Sequence, residues 1–148
     1  MRVRPVARAD TAAWLRMRQA LWPEETPTHA AEIEQFFAGT TRMPLAVFIA
    51  TDGRGVPVGF AELAIRSVAE DCVTDRVAYL EGWYVVPEAR RRGVGRALVA
   101  AAEEWARAQG CTEFGSDTQI DNAASAAAHA ALGFIETAQL RTFRKPLD

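Results

Sequence analysis

The chain has 148 residues, which is enough for one domain with a sizeable hydrophobic core and too few for two ordinary domains. Its 17 basic and 19 acidic residues give a net charge of −2, so no overall positive charge favours nucleic acid, and a cationic ligand is the simpler expectation. No apolar stretch approaches the roughly 18 residues of a membrane span, and the two cysteines, Cys72 and Cys111, lack metal-ligand spacing. We expect a single soluble, cytoplasmic domain with free thiols and no metal site.

The first third of the chain favours one short strand followed by two helices. Residues 3–6 have the composition of a strand. Asp10 is placed to cap a helix that runs to about residue 20, and Thr28 is placed to cap a second helix through residue 37. Between them, the Pro- and Thr-rich residues 23–28 are typical of a loop.

The middle of the chain indicates three strands and a long helix. Residues 45–50 and 56–65 are strand-like and flank turn residues that include Asp52 and Gly53, which predicts a hairpin. A third strand over residues 77–86 ends at Pro87. A helix follows over residues 94–109, and Gly110 is placed to close it in a left-handed conformation.

The last third predicts a strand, a helix and a final strand. These cover residues 113–116, residues 123–132 with Gly133 at the end of the helix, and residues 135–143. The whole order is βααβββαβαβ. It predicts a mixed α/β (α+β) fold, with a twisted sheet of six to seven strands and helices on both faces.

A run of arginines and glycines separates the long strand from the helix that follows it. The first N–H groups of a helix lack intrahelical partners, and glycines at 93 and 95 leave no Cβ to keep phosphate oxygens away. Arginines beside them add charge-assisted hydrogen bonds. The spacing Arg-x-x-Gly-x-Gly is neither a P-loop nor a dinucleotide fingerprint. It favours a pyrophosphate site, and the alternative for such a turn is a solvated loop.

This loop and the order of elements resemble the GCN5-related N-acetyltransferases (GNAT) over nearly the whole chain. The other strings that carry the resemblance are Tyr-Val-Val-Pro at 84–87, Asn122 with His129 seven residues later, and Leu-Gly-Phe at 132–134. A closer resemblance is to the aminoglycoside 6′-N-acetyltransferases. It is carried by Gln-Ala-Leu-Trp-Pro at 19–23, Leu-Glu-Gly at 80–82, Ser-Asp-Thr at 116–118, and the segment 122–136.

The resemblance implies an enzyme that transfers acetyl from acetyl-CoA to an amino group, the 6′-amine of an aminoglycoside antibiotic, and so confers resistance. Direct transfer in a ternary complex is expected, because neither cysteine sits in an acyl-carrier motif. A homodimer is also implied. Two alternatives stay open: acetylation of another small polyamine or a peptide amine, and an acyl-CoA-binding sensor without turnover.

The resemblance also implies which residues bind acetyl-CoA. The long strand offers backbone groups to the pantetheine arm, and an N–H near Val85 stabilises the oxyanion. The alternative for Trp83 and Val85 is a plain core role. The full set of expected cofactor-binding residues is Trp83, Tyr84, Val85, Arg90, Arg91, Arg92, Gly93, Val94, Gly95, Arg96 and Asn122.

Two carboxylates are the candidates for binding and activating the acceptor amine. Asp117 ends a strand at the edge where open α/β sheets bind ligands. It can hold the ammonium form and help remove its proton, or it can be an N-cap or turn residue. Glu81 lies mid-strand among apolar residues, where an ionised carboxylate needs a partner. That partner is either Arg76 or Arg141, or it is the cationic acceptor.

Three further residues complete the expected site. His129 stands where many relatives carry a tyrosine that protonates the leaving thiolate, and a histidine can do so near neutral pH. Its alternative is a half-buried helix residue. Trp22, in a loop-like stretch, suits stacking against a sugar or plain packing. Glu136 is the remaining expected substrate-binding residue.

Overall fold

The computed structural model describes all 148 residues. Its strands and helices are β1 (Arg2–Pro5), α1 (Thr11–Leu21), α2 (Thr26–Ala38), β2 (Ala46–Thr51), β3 (Pro57–Arg66), β4 (Val77–Val85), α3 (Val94–Ala108), β5 (Phe114–Ser116) and α4 (Ala123–Ala131). None of the helices is both long and apolar enough to cross a membrane. The chain falls into two compact units, Met1–Asp117 and Thr118–Asp148. The single domain therefore stays a prediction.

The first unit contains one mixed sheet with the strand order β1-β2-β3-β4-β5. Strands β1 to β4 pair antiparallel, and β5 pairs parallel with β4. The β4–β5 ladder covers only Ala78–Leu80, so β4 continues to Val85 beyond the last β5 pair. The predicted mixed sheet is confirmed. The second half of β4, after Leu80, has a neighbouring strand on one side only, which is β3.

The prediction of six to seven strands is wrong, because the sheet has five. Residues 135–143, predicted as the last strand, have no regular secondary structure. This segment does contain large apolar side chains, and they are exposed: Ile135 is 85% exposed and Phe143 is 93% exposed. A strand, however, exists only when its N–H and C=O groups pair with another strand. Sequence composition alone does not supply that partner.

Two predicted helix caps differ from the observed ones. Asp10 does stand at the N-cap position of α1, but its carboxylate accepts hydrogen bonds from Arg4 at 2.7 and 2.9 Å and from the N–H of Ala7 at 2.7 Å. These bonds, led by those from Arg4, lower the pKa of Asp10. Helix α2 begins at Thr26, two residues before the predicted Thr28. The hydroxyl of Thr28 donates to a backbone carbonyl inside that first turn.

The helices end where glycines were predicted to end them. Gly110 has φ 80° after α3, and Gly133 has φ 89° after α4. The main core forms where α1 and α2 pack on β2 and β3, from Trp14, Met17, Ile33, Val47, Ile49 and Phe60. Helix α3 buries Leu98, Val99 and Ala102. The helices packed on the sheet hold β3 and β4 in one register, and that register positions the candidate active site described below.

Candidate active site

Glu81 is the additional residue of a β-bulge. In the β3–β4 ladder Glu62 pairs with Gly82 and Leu63 pairs with Leu80, which leaves Glu81 without an opposite residue on β3. Bulges re-aim side chains and are common beside active sites. Because of this bulge, two consecutive residues of β4 oppose one residue of β3, and the Glu81 carboxylate joins Glu62 in lining one cavity.

That cavity has a volume of about 310 Å³, at the lower end of the usual range for small-ligand sites. Its lining carries three carboxylates and one guanidinium group, and it comes from α1, the loops after α1 and α2, β3 and β4. The lining residues are Arg18, Trp22, Glu25, Met43, Glu62 and Glu81. Three carboxylates against one guanidinium suit a cationic ligand.

Arg66 is the partner of Glu81. Its Nε donates to Oε1 at 2.9 Å and its Nη2 to Oε2 at 2.8 Å. The expected pairing with Arg76 or Arg141 is therefore wrong. Arg76 donates its Nε to the carbonyl of Gln109 at 2.8 Å. The predicted need for a cation was correct, but the strand register that decides which arginine reaches the bulge is not visible in the sequence.

Tyr79 holds Asp117. The Tyr79 hydroxyl donates to Asp117 Oδ2 at 2.7 Å, and Gly115 beside it leaves room for the ring, since a Cβ there would lie 2.8 Å from two ring carbons. Burial raises the pKa of Tyr79, and the hydrogen bond to Asp117 raises it further. The phenol therefore stays protonated and keeps donating. Asp117 is exposed and caps no helix, because Asn122 occupies the N-cap position of α4.

The two candidate carboxylates are linked through residues that sequence reasoning missed. The guanidinium carbon of Arg66 lies 3.6 Å from the centre of the Tyr79 ring. Asp117, Tyr79, Arg66 and Glu81 thus form one chain of contacts in the first unit. One signal was available: Tyr79 and Glu81 are two residues apart in a strand, which places them on one face.

A second missed cluster forms part of the cavity lining and involves Arg18 and Glu62. Glu62, 2% exposed, accepts hydrogen bonds from Arg18 Nε at 2.7 Å and from Trp14 Nε1 at 2.8 Å. Arg18, 4% exposed, also pairs with Glu32 at 2.6 Å. Burial raises the pKa of Glu62, while the Arg18 charge and the two hydrogen bonds oppose that rise. A charged residue within the apolar strand at 56–65 was the signal for this cluster.

Trp22 is packed rather than solvent-facing. It is half-buried at the end of α1, stacked on His29 with ring centres 6.2 Å apart, and Arg18 lies 5.3 Å from its ring centre. A Cβ on Gly82 would approach Trp22 Cη2 to 2.5 Å. The packing role is therefore the observed one, and Trp22 also lines the cavity.

The arginine–glycine loop begins α3 as predicted, but its glycines serve different purposes. Gly93, at the N-cap of α3, has φ 81°, a left-handed conformation that disfavours side chains. Gly95 provides room for packing, since a Cβ there would lie 3.0 Å from Trp83 Cζ2. The helix therefore starts with a glycine N-cap and no side-chain cap bond. Such an end fits a phosphate.

The arginines of this loop are at the surface. Arg90 donates its Nε to the Val85 carbonyl at 2.8 Å and lies 5.6 Å from the Tyr84 ring centre. Arg91, Arg92 and Arg96 are exposed, and Val94 is buried. The end of β4, the first turn of α3 and these guanidinium groups together provide donors of the kind a pyrophosphate needs.

In the second unit, Asn122 is the N-cap residue of α4 and His129 lies within that helix. Asn122 Oδ1 accepts from the N–H of Ser125 at 3.0 Å and caps the helix. His129 Nδ1 lies 2.7 Å from the Ser125 carbonyl, so Nδ1 carries a proton and Nε2 is the basic nitrogen of the neutral ring. Glu136 is exposed and accepts from Gln139 at 3.1 Å.

The fold and the loop are those of an acetyltransferase, and residues 11–134 match the acetyltransferase (GNAT) family model, so the chain belongs to that family. It is 59% identical over 146 residues to aminoglycoside N(6')-acetyltransferase type 1 of Klebsiella aerogenes, covering 98% of this chain and 96% of the relative. The protein of the same name from Stenotrophomonas maltophilia is 39% identical over 147 residues, with coverage of 99% and 94%.

Solved structures of AAC(6') enzymes are also similar to this chain. AAC(6')-Iy in complex with the bisubstrate analog CoA-S-monomethyl-acetylneamine has a TM-score of 0.90 to this chain at 35% identity, covering 99% of this chain and 98% of that one. AAC(6')-Ih from Acinetobacter baumannii has a TM-score of 0.89 at 34% identity, with 99% coverage of both chains.

Proposed function

We propose that the protein is an acetyl-CoA-dependent N-acetyltransferase that acetylates the 6′-amino group of an aminoglycoside and so confers antibiotic resistance. The acidic cavity beside the Glu81 bulge carries this proposal, because a multiply charged amino sugar needs carboxylates around it. The 59% identity to an aminoglycoside N(6')-acetyltransferase over nearly the whole chain supports the same acceptor.

Acetyl-CoA binding is assigned to the end of β4 and the start of α3. The N-terminal amides of α3 and the guanidinium groups of Arg90, Arg91, Arg92 and Arg96 receive the pyrophosphate. The backbone from Trp83 to Val85 receives the pantetheine arm, and an N–H near Val85 stabilises the oxyanion. Asn122 is proposed as a further contact to the cofactor. When bound, acetyl-CoA supplies the activated acyl group.

Asp117 and Glu81 are assigned different tasks on the acceptor. Asp117 is exposed and oriented by Tyr79, so it can accept a hydrogen bond from the reacting ammonium group and help remove its proton. Glu81, Trp22 and Glu136 bind the acceptor. In its doubly protonated form, His129 is proposed to donate the Nε2 proton to the leaving thiolate, and its ring is held by the bond from Nδ1 to the Ser125 carbonyl.

Direct transfer to the amine is supported by the state of the cysteines. Cys111 is buried. Cys72 is half-buried, and burial together with the nearby Glu113 carboxylate raises the pKa of its thiol. A buried cysteine and a cysteine whose thiol pKa is raised are poor candidates for an acyl-enzyme intermediate, which requires an accessible thiolate.

We further propose a cytoplasmic homodimer. Acetyl-CoA is an intracellular metabolite, which supports the location. The exposed apolar residues of the last segment support the dimer, because a strand-like sequence without a partner in its own chain is suited to pairing with a second subunit. Those residues are Ile135, Leu140, Phe143 and Leu147.

A radiolabelled acetyl-transfer screen over aminoglycosides, spermidine and peptide amines tests the proposed activity. We expect transfer to aminoglycosides that carry a 6′-amine and none to their 6′-hydroxyl counterparts. Transfer confined to spermidine or peptides indicates another amine acetyltransferase. Thermal stabilisation by acetyl-CoA without transfer to any amine indicates an acyl-CoA sensor.

Two variants separate the tasks of the carboxylates. Glu81→Gln is expected mainly to raise the acceptor KM, because it removes uniform binding, while Asp117→Asn is expected also to lower kcat by about 10²-fold or more. Both are expected to leave acetyl-CoA affinity unchanged. Wild-type kcat in folded Asp117→Asn would mean that Asp117 is only a turn residue.

A further inference from the structure

Arg66, the last residue of β3, is held in the acceptor region by two different contacts. Its guanidinium uses both oxygens of Glu81, at 2.9 and 2.8 Å. Its guanidinium carbon lies 3.6 Å from the centre of the Tyr79 ring. The Arg66 side chain is 34% exposed against 15% for Glu81. The cation is therefore nearer to solvent than the carboxylate that it neutralises.

This arrangement changes what the cavity offers to a ligand. A bidentate guanidinium satisfies the carboxylate more completely than a single ammonium group does. An ammonium that approaches Glu81 must therefore share or displace Arg66, and it meets a like charge in doing so. Through Tyr79, the same cation also lies close to Asp117, which is assigned to the reacting amine.

We propose that Arg66 is a specificity-determining residue: by occupying Glu81 it disfavours acceptors with a second ammonium group on the sugar ring of the reacting amine, relative to acceptors with a hydroxyl there. The inference rests on the proposed function. A hydroxyl at that position is neutral, so it does not compete with the guanidinium, and Arg66 stays in place while such an acceptor binds.

Kanamycin A and kanamycin B form a matched pair of probes, because the ring with the 6′-amine carries a 2′-hydroxyl in the first and a 2′-amine in the second. The measured quantity is the ratio of kcat/KM for kanamycin B to that for kanamycin A at low ionic strength. Arg66→Gln is expected to raise this ratio about twofold to fivefold, the effect of one partly exposed ion pair. Arg66→Lys keeps the positive charge but cannot make the bidentate contact with Glu81, so it is expected to raise the ratio less.

Three controls locate the effect. Arg107→Gln removes an arginine that pairs with Glu103 on the surface of α3, at 3.2 Å, and is expected to leave the ratio unchanged. In a Glu81→Gln background, Arg66→Gln is expected to lose its effect, since no carboxylate is released. High salt is expected to reduce the change in the Arg66→Gln enzyme, because it screens partly exposed charges.

The outcomes are distinguishable. A wild-type enzyme that acetylates no aminoglycoside with a 6′-amine overturns the proposed function and this inference with it, and one that acetylates others but neither kanamycin overturns the inference alone. An active wild type whose ratio is unchanged in Arg66→Gln overturns the inference alone. If Arg66→Gln still raises the ratio in the Glu81→Gln background, Arg66 does not act by occupying Glu81, and the proposal is overturned. If Arg66→Gln does not fold, the ratio in Arg66→Lys decides, and an unchanged ratio there counts against the proposal.

Discussion

At the scale of single residues, the candidate site depends on side chains that hold other side chains. Glu81 is fixed by Arg66, and Asp117 is fixed by Tyr79. Each carboxylate therefore has a defined position before an acceptor arrives, which lowers the ordering cost of binding. Preorganisation of this kind favours a rigid acceptor over a flexible one.

Gly82 provides a first test at this scale. A methyl group at this position would lie 2.5 Å from Trp22 Cη2, so Gly82→Ala displaces the indole that lines the proposed acceptor cavity. We expect the acceptor KM to rise several-fold, by about 1 kcal/mol of binding, with no change in acetyl-CoA affinity by calorimetry. Gly53→Ala is the matched control, because a Cβ there meets nothing within 4 Å. Equal kinetics in the two variants would show that Trp22 does not contribute to the acceptor site.

Glu62 provides a second test, this time of stability. Glu62→Gln leaves the Arg18 guanidinium almost fully buried with less compensating charge. Breaking a buried pair in this way is expected to cost about 3–5 kcal/mol in the free energy of unfolding, measured with urea. Glu103→Gln, which breaks an exposed pair on α3, is expected to cost less than about 1 kcal/mol. Similar losses in both variants would contradict the structural importance of the buried pair.

At the scale of secondary structure, the start of α3 shows how one glycine determines a binding surface. Gly93 has φ 81° and open space around its missing Cβ. Gly93→Ala is therefore expected to strain the backbone by about 1–2 kcal/mol and to raise the acetyl-CoA dissociation constant, because the first helical amides shift.

The control for this prediction is Gly93→Asn, because asparagine tolerates the left-handed conformation better than alanine does. We expect its dissociation constant for acetyl-CoA to lie between those of the wild type and Gly93→Ala. Unchanged affinity in all three proteins, measured by calorimetry, would remove the loop from the cofactor site.

Most elements could be predicted from sequence because their signals are local. The apolar spacing of α3, with Gly110 after it, and the apolar run of β4 before Pro87 need no knowledge of the rest of the chain. The strand predicted for residues 135–143 was wrong because a strand is defined by the neighbouring strand with which it pairs. Composition indicates only that a segment is suited to pairing.

The candidate site also depends on contacts between distant residues, which local sequence does not reveal. Glu81 was identified because a charge within an apolar strand requires an explanation, and the structure gives that explanation as Arg66. Arg66 itself was missed, since the β3–β4 register and its bulge arise from tertiary packing. The buried pair of Arg18 and Glu62 joins residues 44 positions apart. No local pattern contains such a contact.

At the scale of the whole molecule, the last segment makes the proposed dimer testable. We expect the wild type to sediment as a dimer at micromolar concentration. The double variant Ile135→Ser, Phe143→Ser is expected to sediment as a monomer, because it removes two strongly exposed apolar side chains from the segment. Ile120→Ser, at an exposed position outside the segment, is the control and should remain dimeric. A monomeric wild type would contradict the proposal.

Gly82 and Trp83 are consecutive in β4 and face opposite sides of the sheet. The first meets Trp22 at the end of α1, and the second meets Gly95 of α3. The sheet thus separates Trp22, which is proposed to contact the acceptor, from Gly95, which is proposed to contact acetyl-CoA. Under these assignments, substitutions around Trp22 change the choice of acceptor amine and leave the first turn of α3, on the opposite face, intact.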